Sequence, residues 1–135
     1  WTLNMCEDGQ GFAYPGTDQA QFLDELVTGN HIEVVKTRDS AFFGTDLKAR
    51  LAHLGVDHLL VCGVSTHSCV AQTAIDGFAE NLHVAIARGA ISSDNSELSE
   101  ALLDFCADQM RQPIVDQQAS LELLRTGAWP ESDSD

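Results

Sequence analysis

A cysteine just beyond a predicted strand is the first candidate for chemistry in this sequence. The segment 59–74, LLVCGVSTHSCVAQTA, opens with an apolar run that breaks at Gly63, and Cys69 follows six residues later. We predict that Cys69 stands in the first turn of a helix, where unpaired N–H groups and the helix dipole favour thiolate over thiol. Such a cysteine is a candidate nucleophile. An isolated cysteine is more often a small buried residue, so both interpretations stay open at this point.

Lys36 is the second candidate, because it ends a short apolar segment, HIEVVK, and is one of only two lysines. An ammonium group beside the Cys69 thiol would favour the thiolate and hold negative charge that develops during attack. The alternative is a solvated lysine at a strand end. His67, two residues before Cys69, could act as a base on the thiol, but at that spacing we favour a pocket-lining or surface role.

The other cysteines lack such a setting. Cys62 is predicted inside an apolar strand and Cys106 on the apolar side of a long helix, so neither is expected to react. With Cys6, the four cysteines are too few and too scattered for a disulfide scaffold, and no Cys or His pair has zinc spacing. We therefore expect reduced thiols and no metal site.

The segments that must position these residues alternate between helical and strand patterns, in the order αβαβαβαβα. The first predicted helix is capped by Thr17, ends at Gly29 and has an apolar stripe of Phe22, Leu23, Leu26 and Val27. Further helices are predicted from Thr45 to Gly55, from about Val70, after a capping box of Asp94 and Glu97, and after Asp116. The predicted strands are 31–36, 58–63, 82–87 and 113–116.

This alternation predicts an α/β fold with a mostly parallel sheet, helices on both faces and three αβα layers. Ligands bind such sheets outside the carboxyl ends of the strands, and Lys36 and Cys69 both follow such ends. Strand 58–63 is nearly continuous in apolar residues, which is typical of a strand covered on both faces.

Length and composition limit the number of domains and the kinds of partner that this chain can have. The chain has 135 residues, which fits one domain over 1–127 followed by an acidic tail over 128–135. Its net charge of −14 would repel phosphate backbones, so we expect no nucleic-acid partner. No apolar stretch approaches the roughly 20 residues of a membrane helix, and the N-terminus does not resemble a secretory signal. We expect no membrane association and a cytoplasmic location.

Two longer segments carry a family resemblance. VVKTRDSAFFGTDL, residues 34–47, and LLVCGVSTHSCVAQTAIDGF, residues 59–78, together resemble the isochorismatase-like cysteine hydrolases, which have a Rossmann-like fold. The resemblance implies that Cys69 is the nucleophile and that Lys36 is the lysine of a Cys–Asp–Lys triad. The resemblance therefore sets aside the two alternatives given above, a small buried cysteine at position 69 and a solvated lysine at position 36. A homo-oligomer is also expected.

The resemblance also implies details of the site. A non-proline cis peptide bond is expected between Val64 and Ser65, which would turn the Ser65 N–H toward the site beside that of Cys69, as an oxyanion hole. Further pocket residues would be Phe42, Thr66 and His67.

The third member of the triad has no match. In the family the catalytic Asp ends the first strand, and no residue here stands in that setting; Asp8, Asp18 and Asp39 lie in a different context. We therefore interpret the chain as a C-terminal portion of the domain that lacks the first strand.

The implied reaction cleaves a C–N bond of a small amide or a ureido or carbamoyl compound through a thioester, without a cofactor. Nicotinamidases of the family hold a metal through an Asp and two His before the lysine. Residues 1–30 contain no His, so ureido or carbamoyl substrates are favoured over nicotinamide. Vinyl ether hydrolysis of the isochorismatase type and a non-catalytic fragment or subunit are the alternatives.

Overall fold

The structure is a computed structural model that describes residues 3–9, 11–26 and 29–129. Its centre is a parallel sheet of three strands in the order β1-β2-β3. The strands are β1 (His58–Val64), β2 (His83–Ser92) and β3 (Ile114–Val115). The α/β class with a parallel sheet is therefore confirmed.

Five α-helices accompany the sheet in the described part of the chain. They are α1 (Leu3–Glu7), α2 (Leu47–Leu54), α3 (Ala71–Ala79), α4 (Ser96–Met110) and α5 (Gln117–Thr126). A short 3-10 helix spans Asp18–Ala20, and a π-helical turn, Thr66–Val70, runs directly into α3. None of these helices has the length and apolar character needed to cross a membrane.

The core lies where α3 and α4 meet each other and the central strand β2. Residues 84–87 of β2 are all buried, as expected for a strand flanked on both edges by others. The main apolar cluster draws on α3, the turn before it, β2 and α4, and consists of Val70, Ala74, Val84, Ile86, Leu103 and Cys106. The prediction that Cys106 is buried is confirmed.

Several helix ends are those that the sequence predicts. Gly55 ends α2 in the left-handed conformation, with φ of 67°, which favours glycine. Asp116 precedes α5, and its side chain accepts a hydrogen bond from Ala119 N at 2.8 Å. Thr45 Oγ1 accepts a hydrogen bond from Leu47 N at 3.2 Å, although Asp46 is the residue directly before α2.

The predicted cap of α4 is off by one residue. Asn95, not Asp94, precedes the helix, and its side chain accepts a hydrogen bond from Leu98 N at 3.0 Å. Asn and Asp serve equally well at this position, so the sequence pattern alone did not separate the two neighbours.

The predicted helix from Thr17 is wrong over its described part, where only the 3-10 helix Asp18–Ala20 forms; Val27 lies outside the described residues. Its predicted stripe is exposed, with Phe22 at 58% and Leu23 at 70%. A short helix gains most of its stability from burying an apolar face, and here that face has no cover in the described structure.

The predicted strand over 31–36 is also wrong, since these residues form no regular structure. A strand needs a partner for its backbone groups, and in the described residues β1 pairs only with β2. The prediction that the strand at 58–63 is covered on both faces is also wrong, since no residue of β1 is fully buried and Cys62 on it is exposed. Among the described residues β1 is an edge strand.

Candidate active site

The site is built on the turn that joins β1 to α3. β1 ends at Val64, and the peptide bond between Val64 and Ser65 is cis, at the position that the resemblance implies. The carbonyl oxygen of Ser65 then accepts hydrogen bonds from the N–H groups of Ser68 and Val70, each at 3.1 Å. This turn places Cys69, which is half-buried, one residue before the last position of the π-helical turn.

The turn is tied to the carboxyl end of the neighbouring strand β2. Thr66 is buried, and its hydroxyl donates a hydrogen bond to the carbonyl oxygen of Ser92 at 3.1 Å. His67 Nδ1 lies 2.5 Å from Ser93 Oγ and 4.0 Å from Asp94 Oδ1. His67 therefore faces the residues after β2, and its part in a substrate pocket stays a prediction.

Lys36 and Cys69 come together, although they are 33 residues apart in the chain. Lys36 Nζ lies 3.5 Å from Cys69 Sγ and donates a hydrogen bond to the carbonyl oxygen of Arg38 at 2.9 Å. The ammonium group is thus held at the sulfur by the same loop that carries it. A cation at this distance favours the thiolate over the thiol.

A carboxylate reaches the same sulfur. Cys69 Sγ donates a hydrogen bond to Asp39 Oδ1 at 3.4 Å. Sequence reasoning missed this contact, because it compared Asp39 only with the family's first-strand position. The available signal was the spacing of three residues from Lys36 in a turn-forming segment, which allows both side chains to face one point.

The loop is fixed to α3 just beyond Asp39. Ser40 is buried at 4% exposure, and Ala41 N donates a hydrogen bond to Thr73 Oγ1 at 3.0 Å. Thr73 follows Cys69 by four residues and therefore lies on the same side of the helix. The backbone next to Asp39 is in this way anchored one helical turn from the sulfur.

Phe42 adds a further contact between this loop and α3. It is half-buried, and its ring packs beside Gly77 of α3. Thr45 Oγ1 donates a hydrogen bond to the carbonyl oxygen of Ala41 at 2.6 Å, which closes the loop before α2. The structure thus places Phe42 and Thr66 in supporting contacts around the site, and their part in a substrate pocket stays a prediction.

The cysteines differ in setting. Burial raises the pKa of the Cys106 thiol, so this group stays protonated near neutral pH. Cys62 is exposed on β1, whereas Cys69 alone is described with both a lysine and a carboxylate at its sulfur. Within residues 3–9, 11–26 and 29–129, no three His, Cys, Asp or Glu side chains are grouped so that they could hold a metal ion.

Comparison with known proteins identifies the family. The family model "Isochorismatase domain" matches residues 5–119. The chain belongs to the isochorismatase family. A solved isochorismatase family protein from Desulfovibrio vulgaris has a TM-score of 0.77 and 30% sequence identity, over 90% of this chain and 64% of that chain.

The curated relatives of this isochorismatase-family chain include two enzymes of named activity that support a comparison over most of its length. Maleamate amidohydrolase of Pseudomonas putida is 32% identical over 79% of this chain and 56% of its own length. Nicotinamidase 3 of Arabidopsis thaliana is 35% identical over 65% of this chain and 46% of its own length. The chain spans about half or less of the length of the curated relatives that it matches.

Proposed function

We propose that this chain is a cysteine hydrolase that cleaves the C–N bond of a small amide, or of a ureido or carbamoyl compound, through a thioester on Cys69. The observation that carries the proposal is the approach of Lys36 Nζ to within 3.5 Å of Cys69 Sγ, at a helix start beyond the carboxyl end of a parallel strand. Membership in the isochorismatase family supports hydrolytic chemistry.

In the proposed reaction the Cys69 sulfur attacks the carbonyl carbon of the substrate. The backbone N–H groups of Ser65 and Cys69 bind the oxyanion that forms, and removal of one such donor typically costs about a hundredfold or more in rate. Lys36 stabilises the sulfur in its anionic form. A carboxylate carries the thiol proton to the leaving nitrogen, and water then hydrolyses the thioester.

The named relatives support an amide substrate, since maleamate and nicotinamide both carry a carboxamide. The absence of His from residues 1–30 is the reason to favour ureido or carbamoyl compounds over nicotinamide. Hydrolysis of maleamate, of nicotinamide and of an N-carbamoyl amino acid yields ammonia in each case, so one assay covers these three compounds.

Ammonia release from maleamate, nicotinamide and an N-carbamoyl amino acid tests the proposal. We expect release from at least one of them, and its loss to background in Cys69→Ala. Cys62→Ala is the matched control, because Cys62 is exposed and lies outside the turn, and it should retain activity. Release that survives Cys69→Ala would contradict the cysteine mechanism. Release from none of the compounds would favour vinyl ether hydrolysis or a non-catalytic role.

A further inference from the structure

The cysteine mechanism proposed above needs a group that takes the thiol proton, and the geometry at Cys69 points to one. We propose that the Asp39 carboxylate is the proton acceptor of Cys69 in this chain. The inference rests on the proposed function, and it names a catalytic residue that stands on the loop after Lys36.

The contact itself is direct. Cys69 Sγ donates to Asp39 Oδ1 at 3.4 Å, so the oxygen that would receive the thiol proton lies within hydrogen-bond distance of the sulfur. Both side chains are half-buried, which reduces the competition from water for this hydrogen bond. A general base must be within hydrogen-bond reach of the proton that it abstracts, and Asp39 meets this condition without any rearrangement.

The lysine is placed so that it does not neutralise this base. Lys36 Nζ contacts the sulfur and the carbonyl oxygen of Arg38, and the described residues show no ion pair between Lys36 and Asp39. The cation therefore acts on the sulfur, while the carboxylate keeps an oxygen for the proton. This division gives each group a separate role in forming the thiolate.

The position of Asp39 is set by the fold and not by the hydrogen bond alone. The next residue, Ser40, is buried, and Ala41 N is bound to Thr73 on α3, four residues beyond Cys69. The π-helical turn and α3, which are continuous, thus carry the sulfur and the anchor of the loop. A carboxylate whose backbone is fixed in this way loses little conformational entropy when it binds the thiol.

The proposed step balances as follows for an amide. The proton of the Cys69 S–H moves to Asp39 Oδ1 as sulfur bonds to the carbonyl carbon and the C=O π pair moves to oxygen. When the oxyanion collapses, the C–N bond breaks and the Asp39 proton passes to the leaving nitrogen, so ammonia departs. Water then adds to the thioester and gives a proton to Asp39. That proton reaches the Cys69 sulfur as the C–S bond breaks, which leaves a carboxylic acid and the original thiol.

If Asp39 has this role, removal of its carboxylate should speed the alkylation of Cys69 and slow amide hydrolysis. Its negative charge repels negative charge on the neighbouring sulfur, so its removal should speed the attack of Cys69 on iodoacetamide. Its loss as a base should nevertheless slow amide hydrolysis, to which a positioned general base typically contributes about 10²- to 10⁴-fold. A residue that only holds the loop would lower both rates together.

The test compares Asp39→Asn with the parent chain in two assays. One is kcat/KM for ammonia release, and the other is the rate at which iodoacetamide alkylates Cys69 at pH 7, followed by peptide mass spectrometry. We expect ammonia release to fall by about 10²-fold or more while alkylation becomes several times faster. Asp39→Glu keeps a carboxylate and should recover part of the hydrolysis. Asp108→Asn, an exposed carboxylate change on α4, is the control and should change neither rate.

Hydrolysis within about threefold of the parent rate in Asp39→Asn, or a parallel fall in both rates, would overturn the inference. If the parent chain releases no ammonia from any of the substrates, the proposed function fails by itself. Alkylation then decides on Asp39 alone: a faster rate in Asp39→Asn supports the contact, and an unchanged rate overturns it.

Discussion

Lys36 Nζ and Cys69 Sγ lie 3.5 Å apart, on two segments that the chain brings together across 33 residues. The lysine comes from an irregular loop, whereas the cysteine is fixed by the turn between β1 and α3. Their contact depends on how that loop docks on α3, through Ala41 and Thr73. Any enhancement of the thiol's reactivity by Lys36 is therefore a property of the folded chain, and Cys69 should react like an ordinary cysteine when the chain unfolds.

Removal of the lysine charge should weaken the nucleophile. In Lys36→Met we expect slower alkylation of Cys69 by iodoacetamide at pH 7 and lower ammonia release, because no cation then stabilises the thiolate. The control is Lys48→Met, which removes the other lysine; Lys48 pairs with Glu80 on the surface. Equal alkylation rates in Lys36→Met and the parent chain would contradict the role given to Lys36.

The cysteines should react with iodoacetamide in an order that their solvent exposure alone does not predict. Cys62 is more exposed than Cys69. We nevertheless expect iodoacetamide at limiting amounts to label Cys69 first, because Lys36 lies at its sulfur. Cys106 should stay unlabelled until the chain unfolds, since it is buried and its thiol pKa is raised. Peptide mass spectrometry over time measures this order. Faster labelling of Cys62 than of Cys69 would indicate an ordinary thiol at position 69.

Gly77 should resist even a small substitution. A Cβ at this position of α3 would lie 2.9 Å from Val84 Cγ2, and Val84 is buried and stiff at χ1. Overpacking of this kind costs about 1–3 kcal/mol, which equals or exceeds the roughly 1 kcal/mol that alanine gains over glycine in a helix. Gly77→Ala should therefore lower the free energy of unfolding in urea. In a double-mutant cycle with Val84→Ala, the two changes should couple favourably; strict additivity would argue against this contact.

The ion pair between Arg88 and Glu100 should give a small dependence of stability on pH. The two guanidinium nitrogens each lie 2.9 Å from a carboxylate oxygen, and these hydrogen bonds lower the pKa of Glu100 from its ordinary value of 4.5. Since the pKa in the folded state is the lower one, the stabilisation is present above about pH 4.5 and is lost as the pH falls through the folded value.

Glu100→Gln tests this dependence. The urea midpoint of the variant should be slightly below that of the parent chain at pH 7, and the difference should shrink as the pH falls below about 4.5. The difference is expected to be small and to shrink in salt, because both side chains are largely exposed. A gap that stays constant over this pH range would show that the substitution acts through something other than the charge.

The sequence predicts best the elements whose partners are also in the described structure. β1, β2 and β3 form where apolar runs were found, and the cap at Asp116 forms as predicted, because capping depends on only a few neighbouring residues. The segments 17–26 and 31–36 carry equally clear helix and strand patterns. They form neither, because each of these elements needs a covering or pairing partner, which no local pattern supplies.

The residues of the candidate site also differ in how well the sequence predicts them. Cys69 and Lys36 could both be found as candidates from their positions after apolar runs, and the family resemblance assigned them to one triad. The contact of Asp39 with Cys69 could not be predicted, because it depends on the docking of Ser40 and Ala41 against α3. Sequence spacing indicates that two residues can meet, but tertiary packing decides whether they do.

The central claim is a covalent thioester on Cys69, and the most direct measurement is the mass of the trapped intermediate. The chain is mixed with whichever amide releases ammonia, quenched in acid within the first turnovers, and digested for mass spectrometry. The account predicts that the peptide containing Cys69 gains the mass of the acyl group, and that no such adduct forms in Cys69→Ala. Ammonia release with no acyl group on Cys69, and with an undiminished rate in Cys69→Ala, would contradict it.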